Sequence, residues 1–100
     1  MWPFDQPPNG ATIVSKSVID KRKPILHVVH DEDDHGWQFL DNESEALEDL
    51  CIVGLGHVLD LDPSIAELAG LEPGWQATRD DAQAPWRIEP VPPEPEDEPA

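Results

Sequence analysis

Apolar and polar positions alternate along Trp75-Gln76-Ala77-Thr78-Arg79 and again along Pro85-Trp86-Arg87-Ile88, the period of two that a half-buried strand requires. Asp80 to Ala84 is the loop that joins them into a hairpin. Trp75, Ala77, Trp86 and Ile88 then face the core, while Gln76, Thr78 and Arg87 face water. Ile25 to His30 and Gly36 to Leu40 also have strand composition, and the polar stretch Asp31-Glu32-Asp33-Asp34-His35 has the length of a hairpin loop. In the first of these strands His27 and His30 fall on opposite faces and neither face is polar, which places that strand inside the sheet. Ala11 to Ser15 is a further β-branched run. A turn or short helix follows it, then the charged stretch Asp20 to Lys23, which Pro24 stops.

Leu55, Val58, Leu59 and Leu61 recur at helical spacing. Asp62-Pro63-Ser64-Ile65 opens a second helix, with Asp62 as N-cap and Pro63 at the first helical position. Ile65, Leu68 and Ala69 form its buried stripe, and Gly70 is placed to end it in a left-handed C-cap. Cys51-Ile52-Val53 fits either a strand or the lead into the first helix, and Pro73-Gly74 marks a turn. The pattern predicts an α+β domain over residues 11–89: an antiparallel sheet of about four to five strands with two short helices on one face. Residues 1–10 read as a flexible N-terminal segment from which Trp2 and Phe4 can still dock onto the domain, and 90–100 as a disordered Pro/Glu-rich acidic tail.

Composition sharpens this picture through its charge. Twenty-two acidic residues face six Lys and Arg, a formal net charge of −16, so the mean field repels nucleic-acid backbones and anionic membranes and speeds encounter with a basic protein. A single cysteine, Cys51, rules out an internal disulfide. Neither a secretory leader nor an apolar run of membrane-spanning length is visible, and cytoplasmic residence is the expectation. Lys21-Arg22-Lys23 reads as a solvated turn.

Candidate chemistry is sparse. The densest set of metal-ligand types is His30, Asp31, Asp34 and His35, the basis of a reading as a metal-binding module or metal-dependent enzyme. His27 adds nothing to it, because a strand points His27 away from His30. Cys51 with His57 is the only cysteine–histidine pair, Ser64 and Asp62 have a capping role, and Asp60 with Asp62 is one of many carboxylate pairs in so acidic a chain. No catalytic constellation converges, so neither an enzyme nor a cofactor is expected. For partner contact the candidates are Asp31, Glu32, Asp33 and Asp34, clustered on a hairpin, and Trp2, an aromatic outside the sheet.

Val14-Ser15-Lys16, Pro24-Ile25, Asp34-His35-Gly36-Trp37-Gln38-Phe39, Asp62-Pro63-Ser64-Ile65 and Pro73-Gly74 followed by Arg79 together resemble a small bacterial domain family. That family is uncharacterised and partly assigned to the immunity proteins of polymorphic toxin systems. The resemblance spans about residues 11–89 and departs from the family pattern at His35, where serine is common, and at His30, where arginine is. It implies a cytoplasmic protein that binds and neutralises a toxin domain, and it brings no catalytic residue. An acidic inhibitor of a basic toxin surface agrees with the charge reading.

Overall fold

The computed structural model describes Phe4 and residues 6–33, 35–41 and 47–91. Six strands form one sheet: β1 (Ala11–Ser15), β2 (His27–His30), β3 (Trp37–Leu40), β4 (Leu50–Gly54), β5 (Trp75–Thr78) and β6 (Arg87–Pro90). Their order across the sheet is β4-β1-β3-β2-β5-β6. The fold is α+β as the pattern predicts, but the sheet is mixed and has one strand more than the upper expectation. Pairing is antiparallel except between β1 and β3, where Ile13 lies opposite Gln38. The parallel pair arises because β2 pairs on its other side with β5, so that β1 meets the hairpin through β3. Cys51 to Val53 resolves as strand, pairing antiparallel with β1.

One face of the sheet carries the core. Val14, Val28, Phe39 and Ala77 are fully buried there beneath Val18 of α1 (Lys16–Ile19), Leu55 and Val58 of α2 (Leu55–Leu61), and Ile65 and Leu68 of the 3-10 helix Pro63–Leu68. The side chains that point the other way along the same strands, among them Ile13, Val29 and Gln38, remain partly exposed. Phe4 belongs to this core. It is 6% exposed and meets Trp37 edge to face at 5.1 Å, while Pro8 and Gly10 accept the backbone N–H groups of Gly56 and Leu55. The stretch expected as a flexible lead is thus docked where the structure describes it. Trp2 lies outside the described residues, as do 92–100 of the acidic tail; Pro90 closes β6.

Turn chemistry explains the connections. Pro73 and Gly74 occupy the two central positions of a type II turn: Gly74 has φ +89°, and Trp75 N–H donates to Glu72 O at 3.0 Å. Asp62 caps the 3-10 helix, accepting from Ser64 N at 3.0 Å. Gly70 does not adopt the expected left-handed cap; the helix ends on Ala69 in a right-handed conformation, and Ala69 N–H closes a tight turn onto Ala66 O. A left-handed residue appears instead at Lys21, with φ +64°. Lys21 N–H reaches Val18 O and Arg22 N–H reaches Ser17 O, the paired bonds of a Schellman motif whose special position glycine usually fills.

Candidate functional site

Register along the strands sorts the charges. His27, Leu40, Thr78 and Arg87 lie in one row across the sheet, and His30, Trp37, Trp75 and Pro90 in the row at the opposite end. Every lysine and arginine of the chain lies at the first end. Lys16 follows β1, Lys21 to Lys23 precede Leu26, whose N–H bonds Leu40 O, and Arg79 and Arg87 flank the β5–β6 loop. Three acids there pair with them, Asp20 with Arg22 at 3.3 Å, Asp62 with Arg79 at 2.9 Å and Asp80 with Arg87 at 3.2 Å, and Glu48, Asp49 and Asp81 are exposed at the same end. The opposite end holds Asp31, Glu32, Asp33 and Glu72 with no cation to offset them.

Arg79 organises the first end. Its side chain is 3% exposed, and Nε donates to Ile25 O at 2.9 Å, Nη2 to Asp62 at 2.9 Å, and Nη1 to Ser64 Oγ at 3.2 Å and Ala82 O at 3.3 Å. Its guanidinium also sits over the Trp86 ring at 4.1 Å. Ser64 Oγ in turn donates to Asp62 Oδ1 at 2.6 Å. Asp62 and Ser64 therefore hold an architectural network, in which the Ser64 hydroxyl donates to the capping carboxylate and accepts from Arg79.

At the acidic end the hairpin loop is held by Asp31 N–H donating to Gly36 O at 2.8 Å and Gln38 Nε2 donating to Asp31 at 3.1 Å. Glu32 and Asp33 are exposed; Asp34 lies outside the described residues. His30 is buried, stacked on Trp37 at 4.0 Å, with Nδ1 2.6 Å from Leu71 O. A carbonyl can only accept, so Nδ1 donates, and the ring pins the exit of the 3-10 helix to β2. His35 is exposed, in the left-handed region at φ +61°, its ring 6.2 Å from that of His30. Among the described residues no three His, Cys, Asp or Glu side chains are grouped to hold a metal ion. Cys51 is half-buried on β4 and His57 is exposed on α2.

Alternation on the last hairpin sets two side chains on the correct side of the sheet but not under cover. Ala77 is buried and Trp86 half-buried, but Trp75 is 36% exposed and Ile88 54% exposed. Both point to the core side of the sheet, yet they lie beyond the cover that the 3-10 helix provides, because β6 is the sheet edge. With Leu68, Gly70 and Leu71 they line an open cleft of about 330 Å³, and Glu67 and Glu72 form its rim. Glu32 stands beside it, with its side chain 3.5 to 3.7 Å from where a Cβ on Gly74 would be. An aromatic anchor inside an acidic rim is the anatomy of a binding patch. The signal for it in the sequence was the position of Trp75, directly after the turn Glu72-Pro73-Gly74.

Among the described residues no helix is long and apolar enough to cross a membrane. No protein-family model matches the chain, and no curated protein or solved structure is similar to it.

Proposed function

We propose that this chain is a protein-binding domain that works without turnover, capturing a basic protein surface at its acidic end. The observation that carries the reading is the placing of charge: all six cations sit at the opposite end, while Glu67 and Glu72 line the Trp75–Ile88 cleft and Glu32 stands beside it. Such a patch draws its partner by long-range attraction and holds it by desolvating an aromatic centre. Asp31, Glu32 and Asp33 supply the first, Trp75 and Ile88 the second. The resemblance to immunity proteins makes a toxin domain with a basic surface, met in the cytoplasm, the partner of choice.

Capture of partners from the source cell's lysate, by the wild-type chain and by Trp75→Ala, tests this. A basic protein held stoichiometrically at low salt, released at high salt and lost with Trp75→Ala is the expected result. Truncating an aromatic anchor of this kind costs about 2 kcal/mol or more of affinity, roughly thirtyfold in Kd. Retention that neither salt nor Trp75→Ala alters would refute the assignment.

A further inference from the structure

The two edges of the sheet are unlike. On β6, Val91 N–H bonds Gly74 O, so by the alternation of an antiparallel ladder Arg87 and Glu89 bond inward and Ile88 and Pro90 face outward. Pro90 has no N–H to offer, and the charged Arg87 and Glu89 flank Ile88; this edge is blunted against pairing. On β4, Leu55 N–H bonds Gly10 O and Val53 O accepts from Thr12 Oγ1. Cys51 and Val53 therefore bond toward β1, and the N–H and C=O groups of Leu50, Ile52 and Gly54 face away from it. No charged residue occurs from Leu50 to Leu59 in a chain of net charge −16. Ile52 is 71% exposed, and with Ile13, Leu50 and Cys51 it lines an apolar depression of about 190 Å³.

We propose that β4 is the pairing edge of a reversible homodimer, two copies meeting antiparallel about a two-fold axis at Ile52 to continue the sheet from one molecule into the next. Hydrogen-bond parity selects this register. Ile52 opposes Ile52 of the second copy, and Leu50 opposes Gly54, so each outward-facing donor meets an outward-facing acceptor. The same operation sets the two exposed Ile52 side chains against each other on the open sheet face. Charge points to a second copy as the occupant, because a partner recognised by charge finds nothing on an uncharged strand, whereas an uncharged strand is its own complement. A five-residue edge contributes less than the roughly 800 Å² per partner of a durable interface, so the dimer forms at high concentration. Net charge on both copies opposes it, and salt therefore strengthens it, opposite in sign to capture of a basic partner at the acidic end.

Sedimentation equilibrium of the full chain over a range of concentrations and two salt levels tests this. The expected result is a monomer–dimer equilibrium that tightens with salt, and at least tenfold weaker association for Ile52→Lys with an unchanged circular dichroism spectrum. Oxidation of Cys51→Ser/Ile52→Cys then checks the register. Hydrogen-bonded partners lie about 5.5 Å apart at Cα, within disulfide reach, so this variant becomes a covalent dimer, whereas Cys51→Ser/Ile13→Cys, set back on the second strand, does not. A chain monomeric at every concentration, or an Ile52→Cys variant that stays monomeric under oxidation, overturns the proposal.

Discussion

Replacing Arg79 by alanine dismantles the buried network at the cation-bearing end. Four hydrogen bonds vanish, to Ile25 O, Asp62, Ser64 Oγ and Ala82 O, together with the stack on Trp86. The charge on Asp62 is left beside an apolar hole, and deleting one partner of a buried ion pair costs about 3–5 kcal/mol. The Asp62 side chain is 22% exposed, so water compensates part of this, and about 3 kcal/mol is the expected loss. That is a large share of a total stability of about 5–15 kcal/mol. Urea unfolding followed by tryptophan fluorescence measures it directly, Trp86 reporting from within the network. Arg79→Lys keeps the charge but not the planar fork, and recovers about half of the loss. A double-mutant cycle with Asp62→Asn isolates the pair. If Arg79→Ala costs less than about 1 kcal/mol, the network contributes no more than a surface ion pair, and the reasoning that assigns Asp62 and Ser64 an architectural role fails.

Lys21→Gly should stabilise the fold by about 0.5–1 kcal/mol, since the left-handed conformation costs a residue with a Cβ roughly 1–2 kcal/mol and the freedom of glycine in the unfolded chain returns only part of it. Thermal unfolding of that variant reads the difference, and a lower Tm would contradict the Schellman assignment. Phe4→Ala should cost about 2–3 kcal/mol, at or just under the usual range for a buried aromatic because it sits near a chain end. An unfolding midpoint equal to wild type would return residues 4–10 to the status of a loose lead.

Element types were legible wherever period and turn chemistry agreed. The two hairpins, the Asp62–Pro63 helix start and the Pro73–Gly74 turn all stand where local sequence puts them, because a capping carboxylate and a glycine with positive φ act within four residues. The β1–β3 parallel pairing was not legible, since it depends on which edge of a hairpin meets a distant strand. Trp75 and Ile88 show the same limit in their open cleft. Alternation assigns them correctly to the core side of the sheet, but whether anything lies over that side is decided by the length of the 3-10 helix above it. The acidic loop was visible as composition. Its isolation from every cation became visible only when the strand register put all six at the other end.

Separation of charge along one axis makes the molecule behave as a compass needle. In the field of a basic surface it experiences a torque as well as an attraction, and the torque acts at distances where no side chain yet touches another. Most collisions between two proteins fail because the wrong faces meet. For the basic partner proposed above, such a torque would turn Trp75 toward it before contact, and the fraction of productive encounters would then depend on the placing of six cations at the far end of the sheet.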